Sequence, residues 1–459
     1  LKRRNVEAVA VCFVNAYANP AHELRMKEIL EEELPGVFVS TSSDVLPEIF
    51  EHERFSTCVA NAVLSPLVGG YVQRLSDRLA EGGYQGDLLL LDAGGGVMTA
   101  SMTARFAVRL AASGIAAGAI ASRHIAMLCG YENSIGLDMG GTSTDISLVW
   151  KGQERVTRDW SVEYGYPIRF PSIEVLTIGA GGGSIAWIDR AGLLQIGPHS
   201  AGSDPGPACY GAGNTLPTVT DANLVLGRIN AERPIGGKLK RLDVEAAKAA
   251  IEASVGKPLG LDAVAAAEAV IRVANSRMAG AIRLVSIERG HDPRRFALMP
   301  FGGGGALHCC ALMREVGIRT ALVPRFPGVT SAIGCVMADM RHDFVQTVNM
   351  PLDGLDTARL SSQMRAHAER GLELIAGTRA TIESRVVRFE LDMCYRGQTH
   401  SLSVPVPASL GPGGSISGLD EASVRAAFEQ RYREEYKRLL DGIPVLVLSL
   451  RTIAIGSRP

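Results

Sequence analysis

Residues 134–149, with the sequence SIGLDMGGTSTDISLV, decide how this chain is expected to fold. An apolar run leads into an acidic turn that is rich in glycine and hydroxyl groups, and a second, partly alternating apolar run leads out of it. This order is typical of a strand, a tight turn and a second strand. The segment therefore predicts a β-hairpin with a polar tip.

The residue types at this tip are those that suit a phosphate group. Gly140 and Gly141 have no Cβ, so their backbone N–H groups can approach an anion closely. Asp138 and Asp145 offer carboxylates that can hold a divalent cation through water. Hydroxyl donors lie between the two carboxylates, on Thr142, Ser143 and Thr144. Two interpretations stay open: a phosphate-binding loop, and an ordinary hairpin turn with a polar tip.

The composition is that of a globular protein without a strong electrostatic field. The chain has 459 residues, enough for about two to four domains, and its 46% hydrophobic against 21% charged residues can bury a large core. A net charge of −1 attracts neither nucleic acid nor an anionic membrane. We therefore expect no nucleic acid and no membrane among its partners, and we expect no apolar run to be long enough to span a bilayer.

The cysteines and the first residue bear on the compartment and the completeness of the chain. Eight cysteines are scattered along the sequence and form no CxxC pair, so neither a zinc site nor a disulfide framework is indicated. This pattern favours the reducing cytoplasm. The chain begins with Leu1, directly before a valine-rich predicted strand, which is typical of a fragment.

Strands and helices are predicted to alternate, which indicates an α/β fold. Strands are predicted over residues 7–14, 37–40, 87–91, 296–300, 385–393, 400–406 and 445–455. Helices are predicted over residues 21–33, 57–79, 111–128, 244–254, 263–284 and 424–439. Helix 111–128 is rich in alanine and glycine, so we expect it to pack closely against a neighbour.

A second glycine-rich segment, FGGGGALH at residues 301–308, follows a predicted strand and opens a predicted helix. Its glycines make a backbone-lined niche for a flat or anionic ligand group, although close helix–strand packing would also require glycine. These glycines are Gly302, Gly303, Gly304 and Gly305. His308, at the start of the helix, either contacts a nucleotide or substrate or caps the helix.

A third segment, residues 197–211, is so rich in glycine and proline that it is predicted to lack regular structure. Long ordered loops are usually functional, and the alternative is a structural Ω-loop. His199 and Asp204 in this segment could hold a substrate amide or a metal, but their spacing is a weak indicator of a metal. Asp221 either acts near phosphates or caps a helix.

Six sequence motifs resemble those of the hydantoinase A/5-oxoprolinase family, and they occur in the family's order. They are DMGGTSTD (138–145), IGAGGGSIAW (178–187), GPHSAGSDPGPACYG (197–211), TVTDANLVLGR (218–228), ERGHDPRRFAL (288–298) and FGGGGALH (301–308). The resemblance covers nearly the whole chain, so it is far more specific than a single glycine motif.

The resemblance implies an actin-like ATPase fold, in which two ribonuclease H-like lobes bind ATP. Residues 1–130 would be the remainder of an incomplete first lobe, residues 131–345 the second lobe, and residues 346–459 a C-terminal α+β domain that is itself cut short. The motif at 138–145 would be the second phosphate loop, and the motif at 301–308 the loop on the adenosine side. The family's first phosphate loop would precede Leu1.

The resemblance also implies roles for the residues named above. Asp138 and Asp145 would be catalytic and would position Mg²⁺ beside ATP. The phosphates would lie against residues 140–144 and the nucleoside against residues 302–305. Candidates for contacts with the substrate are His199, Asp204 and His308.

Two segments depart from the family's pattern. AGGG at residues 93–96 stands where the family usually has SNGG, and SGIAAG at residues 113–118 stands where it usually has SGPAGG. Both changes remove rigidity or polar groups, which is a reason to expect an altered substrate or reduced activity.

Three functions follow as hypotheses. The first is an ATP-dependent hydrolase subunit that opens a cyclic amide or imide of the hydantoin or 5-oxoproline type through phosphorylation of the carbonyl oxygen, with a hydantoinase B-like partner subunit completing hydrolysis. The second is a subunit of an ATP-dependent ketone carboxylase. The third, from another class, is a non-catalytic nucleotide-binding assembly module.

Overall fold

The computed structural model describes residues 1–158, 160–161, 165–234 and 239–459. Its helices are α1 (Ala21–Glu33), α2 (Ser42–Val45), α3 (Glu51–Glu81), α4 (Ala100–Arg105), α5 (Ser113–Leu128), α6 (Val219–Val225), α7 (Val244–Ile251), α8 (Lys257–Leu259), α9 (Ala263–Ser286), α10 (Gly305–Val316), α11 (Thr330–Met337), α12 (Thr357–Ala376) and α13 (Glu421–Tyr436).

The strands mix long central members with short pairs, as is usual for an α/β protein. They are β1 (Ala8–Val11), β2 (Phe38–Thr41), β3 (Leu89–Leu91), β4 (Val97–Thr99), β5 (Ser134–Met139), β6 (Thr144–Trp150), β7 (Gln153–Glu154), β8 (Val156–Thr157), β9 (Trp160–Ser161), β10 (Pro167–Ile168), β11 (Ser172–Ile173), β12 (Val175–Ile178), β13 (Ser184–Ile188), β14 (Leu194–Ser200), β15 (Ala297–Phe301), β16 (Thr320–Ala321), β17 (Met340–Pro351), β18 (Ser384–Tyr395), β19 (Leu402–Pro405), β20 (Ser409–Leu410), β21 (Ile416–Ser417) and β22 (Val445–Ser457).

The chain divides into two compact units. The first contains Leu1–Ser113, Val156–Ser172 and Ala338–Pro459, and the second contains Gly114–Arg155 and Ile173–Met337. The first unit is therefore assembled from three separate stretches of sequence.

A mixed sheet with the strand order β12-β6-β5-β15-β16 forms the centre of the second unit. β5 and β6 are the predicted hairpin, with Asp138 opposite Asp145, and β15 lies parallel to β5 on its other side. Every residue of β15 is buried, as expected for a parallel strand with both faces covered. The hairpin predicted from the opening segment is confirmed.

Both faces of this sheet carry helices. On one face, Leu137 and Ile146 join a core to which α9 contributes a stripe of small and apolar residues, among them Val270 and Met278. On the other face, Gly136 leaves room for α5, because a Cβ there would lie 3.0 Å from the Ser122 hydroxyl.

α5 packs against α11 with almost no space between the two backbones. A Cβ added to Gly334 would lie 1.8 Å from the carbonyl oxygen of Ala117, and one added to Gly118 would lie 3.1 Å from the ring of Phe301. The close packing that was predicted for helix 111–128 is therefore confirmed.

A six-stranded sheet with the order β19-β18-β22-β17-β4-β3 dominates the first unit. β22 pairs antiparallel with both β17 and β18 along most of its length, and α12 and α13 supply much of the adjoining core. A separate two-stranded parallel sheet, β1 with β2, packs against α3.

The long helix α3 carries a buried polar stripe. Arg54 donates from Nη1 to the carbonyl oxygen of Glu48 at 2.7 Å, and Asn61 donates from Nδ2 to the carbonyl oxygen of Arg105 at 3.0 Å. By length and composition alone α3 could cross a membrane, contrary to the expectation that no apolar run is long enough to do so. The hydrogen bonds of its polar stripe are those of a helix packed inside a protein.

The structure groups residues differently from the predicted three-part division. Residues 346–459 do have an α+β content and a hydrophobic core of their own, built between Val348 and Leu450. Their sheet, however, continues through Met340 beside Val97 into β4 and β3, and they belong to the same compact unit as the N-terminal residues.

Most predicted elements are confirmed, with ends that shift by a few residues. The prediction for residues 197–211 was wrong in its first part, because β14 extends through Gly197 and Pro198 to Ser200 and pairs with β13. An edge strand of a two-stranded sheet tolerates proline, which is why the proline-based argument failed.

Candidate functional site

Three glycine-rich turns meet at one edge of the sheet in the second unit. β5 and β15 run parallel, and β12 runs in the same direction because both β5 and β12 are antiparallel to β6. The three strands therefore end at the same edge, at Met139, Ile178 and Phe301. A glycine follows each of them, so the edge is lined by backbone rather than by side chains.

The turns after β5 and β15 contact each other directly. The N–H of Gly304 donates to the carbonyl oxygen of Met139 at 3.0 Å. Gly302 has a φ of +77°, and a Cβ there would lie 2.4 Å from Oδ1 of Asp138. Glycine at this position is thus required both by the left-handed backbone and by the close approach of the two turns.

The turn after β12 lies against the hairpin tip. The N–H of Gly182 donates to the carbonyl oxygen of Gly140 at 3.0 Å, and that of Gly183 donates to the carbonyl oxygen of Gly141 at 2.5 Å. A Cβ added to Gly181 would lie 2.6 Å from the carbonyl carbon of Thr142. These contacts fix the conformation of the tip without using any side chain of residues 140–143.

Two glycines at this edge have no packing reason to be glycine. Gly141 and Gly303 lack a left-handed φ, and a Cβ at either would meet no atom within 4 Å. Both line a cavity of about 250 Å³. A side chain at either position would instead occupy the cavity, so the space before these two glycines is suited to a ligand.

The remaining walls of this cavity are partly apolar and partly polar. Apolar groups are contributed by Ile229, Leu242 and Leu307. Tyr210, Thr220, Asn223 and His308 add polar groups. Such a mixture, with a backbone-lined floor, is typical of a site for a small molecule that has both an apolar and an anionic part.

Asp138 and Asp145 are cross-strand neighbours at the mouth of the hairpin. Ser331 donates its hydroxyl to Oδ2 of Asp138 at 3.0 Å, and Thr177 donates its hydroxyl to Oδ1 of Asp145 at 2.6 Å. Burial raises the pKa of both carboxyl groups, and the charge of Asp138 raises the pKa of Asp145 further. A cation between them would relieve this repulsion.

The donor set suits Mg²⁺ bound together with a phosphate. Among the residues that the structure describes, no group of three or more His, Cys, Asp or Glu side chains could hold a metal. Mg²⁺ commonly uses only one or two carboxylates and takes its other ligands from water and substrate phosphates. The pair Asp138 and Asp145 fits that requirement.

His308 is satisfied inside the protein. It is buried in α10, with Nδ1 2.6 Å from Oδ1 of Asn275 and Nε2 3.4 Å from Nδ2 of Asn223. Because an amide oxygen faces Nδ1, we assign the proton to that nitrogen. Burial, with the charge of Arg228, lowers the pKa of His308 to about 4, so the ring is neutral and forms part of the cavity wall.

The other predicted site residues lie in the hairpin, at the start of α10 and in the 197–211 segment. Thr144 is buried and donates its hydroxyl to the carbonyl oxygen of Ala180 at 2.6 Å. Thr142 and Ser143 lie in the turn itself, and Gly305 begins α10. His199 and Asp204 are exposed and are not among the described residues that line the cavity.

Asp221 has the capping role that was one of its two predicted alternatives. It is the third residue of α6 and forms a capping box with Thr218, whose backbone N–H donates to Oδ2 of Asp221 at 2.8 Å. Its Oδ1 also accepts from the backbone N–H of Cys209 at 2.8 Å. These bonds tie the 197–211 segment to α6.

Sequence reasoning did not single out Tyr210, Thr220 or Leu242 as residues of the site. Tyr210 and Thr220 do fall within two of the family-like motifs, at 197–211 and 218–228, so the resemblance contained a signal for them. Leu242 lies outside every such motif and reaches the cavity only through the fold.

Comparison with known families identifies what this chain is similar to. The chain matches the family described as Hydantoinase/oxoprolinase over residues 54–344. Residues 1–34 match the Hydantoinase/oxoprolinase N-terminal region. Together the two matches include every glycine turn at the sheet edge.

Several curated proteins are similar in sequence. The caprolactamase subunit alpha of Pseudomonas jessenii is 37% identical over 99% of this chain and 65% of its own length. The acetophenone carboxylase gamma subunit of Aromatoleum aromaticum is 32% identical over 97% of this chain and 61% of its own length. A 5-oxoprolinase of Pestalotiopsis fici is 31% identical over 91% of this chain and 33% of its own length. This chain thus spans less than two thirds of each of these relatives.

A solved structure shares the fold. The crystal structure of ATP-dependent caprolactamase from Pseudomonas jessenii superposes with a TM-score of 0.83 and 36% identity, covering 99% of this chain and 65% of the other. A nucleotide-free structure of an acetone carboxylase, at 24% identity, has the same fold with a TM-score of 0.76.

Proposed function

Because this chain belongs to the hydantoinase/oxoprolinase family, we propose that it is the nucleotide-binding subunit of an ATP-dependent enzyme that opens a cyclic amide or imide. The observation that carries the proposal is the cavity at the sheet edge, where Gly141 and Gly303 leave space that no protein atom uses. The relative with a solved structure is described as an ATP-dependent caprolactamase, which supports the reaction class.

The proposed nucleotide position follows from the chemistry of the cavity walls. Backbone N–H groups at the hairpin tip are suited to phosphate oxygens, since glycines allow close approach. The apolar wall of Ile229, Leu242 and Leu307, together with Gly303, is suited to the nucleoside. Asp138 and Asp145 would hold Mg²⁺ beside the phosphates.

An unstrained lactam resists hydrolysis because amide resonance makes its carbonyl a poor electrophile. ATP, when bound, supplies the phosphoryl group that activates the carbonyl oxygen. The residues of this chain would contribute by positioning the phosphates and by balancing their charge. The neutral, hydrogen-bonded His308 would shape the wall without exchanging a proton.

The sheet supports the proposal that the second unit is an actin-like, ribonuclease H-like lobe. It has three antiparallel strands next to parallel ones and helices on both faces, with the glycine turns at one edge. Identification of residues 1–130 with part of a first lobe remains a proposal of the same kind.

A hydantoinase B-like partner subunit is the proposed site of the hydrolysis step, in the cytoplasm. The names of two relatives, caprolactamase subunit alpha and acetophenone carboxylase gamma subunit, support a hetero-oligomeric enzyme.

The similarity to the acetophenone carboxylase gamma subunit favours a second candidate, a subunit of an ATP-dependent ketone carboxylase. The same nucleotide site would serve both reactions, because a ketone enolate and a lactam each present an oxygen to be phosphorylated. A non-catalytic assembly module is the candidate of another class.

The experiment is a measurement of phosphate release from Mg-ATP by the complete complex. We expect release to depend on a lactam or hydantoin and not on a ketone with bicarbonate. Asp145→Asn should abolish the stimulated release, whereas Asp204→Asn, at an exposed carboxylate away from the cavity, should not change it.

The outcomes separate the three candidates. Release that requires a ketone and bicarbonate would establish the carboxylase instead. A complex that binds Mg-ATP but keeps full activity with Asp145→Asn would favour the nucleotide-binding assembly module and refute the proposed catalytic site. A complex that binds no Mg-ATP would refute the proposed nucleotide site itself.

A further inference from the structure

The two carboxylates of the candidate site lie in one row across three neighbouring strands. Asp145 on β6 is paired with Asp138 on β5 and, on its other side, with Thr177 on β12. Residues that are directly opposite each other in a sheet have side chains on the same face. The two carboxylates therefore stand next to each other, and the side chain of Thr177 stands beside Asp145 at one end of the row.

A second hydroxyl closes the other end of this row. Ser331 on α11 donates to Oδ2 of Asp138 at 3.0 Å, just as Thr177 donates to Oδ1 of Asp145 at 2.6 Å. One oxygen of each carboxylate is thus engaged by a hydroxyl. Within the described part of the chain, no hydrogen bond is made to the other oxygen, which is Oδ1 of Asp138 and Oδ2 of Asp145.

The contacts around Asp138 fix the orientation of its side chain. Its Oδ1 lies so close to the turn after β15 that a Cβ on Gly302 would approach it to 2.4 Å. The Ser331 hydroxyl lies against α5, where a Cβ on Gly118 would be 3.3 Å from its Oγ. The carboxylate is therefore held between the turn and α11, and its rotation would break the hydrogen bond to Ser331.

The number of oxygens that a carboxylate offers affects which cation it binds. Ca²⁺ takes about six to eight oxygen ligands and often uses both oxygens of one carboxylate, whereas Mg²⁺ is smaller and requires nearly ideal octahedral geometry. A carboxylate with one oxygen engaged by a hydroxyl offers only the other oxygen unless it first loses that hydrogen bond. Two such carboxylates suit Mg²⁺, which takes its remaining ligands from water and phosphate.

We propose that Thr177 and Ser331 are positioning residues that make the nucleotide site selective for Mg²⁺ over Ca²⁺. Thr177 acts through Asp145, and Ser331 acts through Asp138. Each hydroxyl orients its carboxylate and leaves one oxygen for the cation. The inference rests on the proposed function, since it requires Mg-ATP to bind at the sheet edge.

The test is a calorimetric titration of the full chain with Mg-ATP, with Ca-ATP, and with ATP in the presence of EDTA. The dissociation constant of metal-free ATP divided by that of each metal complex gives the affinity gained from that metal. We expect the wild type to gain more from Mg²⁺ than from Ca²⁺. Ser331→Ala and Thr177→Val should each reduce the gain from Mg²⁺ by about 10-fold, as is usual when a metal ligand loses its hydrogen-bond partner. They should also narrow the preference over Ca²⁺ and leave the affinity for metal-free ATP unchanged.

Two control variants separate the hydroxyls from the fold around them. Thr177→Ser keeps the hydroxyl at an exposed position and should behave as the wild type. Thr330→Val removes the neighbouring hydroxyl of α11, which donates to the backbone carbonyl oxygen of Phe326 at 3.2 Å, and should leave both gains unchanged. A loss in Thr330→Val equal to that in Ser331→Ala would overturn the role of Ser331, because the packing of α11 would then set the affinity.

A double-mutant cycle tests whether a hydroxyl acts through its carboxylate. In combination with Asp145→Asn, Thr177→Val should reduce the gain from Mg²⁺ little further, because the carboxylate that Thr177 orients is already gone. In the same background, Ser331→Ala should still reduce the gain, since it acts through Asp138. Additive losses for Thr177→Val and Asp145→Asn would refute the action of Thr177 through Asp145.

The outcomes separate this inference from the proposed function. Binding of Mg-ATP with the same preference for Mg²⁺ in the wild type, Thr177→Val and Ser331→Ala would refute the positioning role and leave the nucleotide site intact. Equal gains from the two metals in the wild type would refute the selectivity. A wild type that binds ATP in none of the three forms would refute the nucleotide site and this inference together. Because Thr177 is exposed, Thr177→Val decides the question even where Ser331→Ala fails to fold.

Discussion

Neighbouring glycines at the sheet edge differ in what a side chain would meet. A Cβ on Gly181 would lie within 2.7 Å of three backbone atoms of the hairpin tip, whereas one on Gly141 or Gly303 would meet nothing within 4 Å. The first glycine is explained by packing between turns. The other two have no such packing explanation, and contact with a bound ligand is the explanation we propose.

This difference predicts opposite effects of the same substitution. Gly141→Ala and Gly303→Ala should fold with wild-type thermal stability and lose at least about 10-fold in nucleotide affinity, since the methyl group occupies the cavity. Gly181→Ala should cost about 1–3 kcal/mol of stability through overpacking. Thermal melting and calorimetry with Mg-ATP measure both. Unchanged affinity in Gly141→Ala would mean that the nucleotide does not use this wall.

Asp92 predicts a pH dependence of stability. It is buried, and its pKa is raised from 3.8 to about 6 by burial and by Asp343, against the opposing charges of Arg109 and Arg341. The folded protein therefore binds this proton more tightly than the unfolded chain does. Stability should fall as pH rises from about 4 to 6, by about 3 kcal/mol.

Asp92→Asn tests this contribution, because the amide oxygen can still accept from the N–H of Gly96, now 3.1 Å from Oδ1 of Asp92. The variant should match the wild type near pH 4 and be more stable above pH 6, as measured by melting temperature across that range. An identical pH profile in the two proteins would show that Asp92 is ionised in the fold without penalty.

The sequence predicts some residues of the candidate site and misses others. The hairpin glycines and carboxylates were predictable, because a close backbone approach and paired charges leave a local pattern. His199 and Asp204 were grouped by proximity in sequence, yet both are exposed away from the cavity. Leu242 was missed, because apolar wall residues carry no local signal and are brought in by tertiary packing.

At the scale of elements, the sequence predicts which helices and strands are present more accurately than it predicts where they begin and end. Helix 21–33 matches α1 at both ends, whereas α3 begins at Glu51, six residues before the prediction, because its first turn is polar and its one buried residue is the charged Arg54. Strand β14 was missed because glycine and proline conceal an edge strand.

The contact between α5 and α11 predicts opposite effects of alanine at two glycines. Gly334→Ala should destabilise the protein by about 3 kcal/mol or more, because its Cβ would lie 1.8 Å from the carbonyl oxygen of Ala117. Gly114→Ala, in the same helix pair, meets no atom and should stabilise by about 0.5–1 kcal/mol. The melting temperatures of the two variants measure both the destabilisation and the stabilisation.

The packing of α11 also affects the candidate site, because α11 carries Ser331, the hydrogen-bond donor to Asp138. Should Gly334→Ala melt at the wild-type temperature, α11 would be free to shift. In that case the position of Ser331 would not depend on close helix packing.

At the scale of the whole molecule, the first unit is held together across very long sequence separations. Glu48 is buried and accepts from Nη2 of Arg451 at 2.6 Å, and it pairs with Nε of Arg169 at 2.6 Å. These three residues belong to the three separate stretches of the unit. A hydrophobic pattern along the sequence contains no trace of such a junction, which explains why the predicted three-part division differs from the observed units.

Glu48→Gln should therefore lower the free energy of unfolding by far more than the loss of an exposed ion pair does. It would remove the carboxylate that Arg169 and Arg451 share, although Arg451 keeps its ion pair with Asp392 at 2.7 Å, and breaking a buried pair costs about 3–5 kcal/mol. Glu28→Gln is the matched control, because the Arg25–Glu28 pair has side chains that are 64% and 60% exposed and should contribute less than about 1 kcal/mol. Denaturant unfolding measures both. Equal losses in the two variants would mean that the three stretches are joined by their sheet and cores alone, and that the buried charges contribute only to the specificity of the fold.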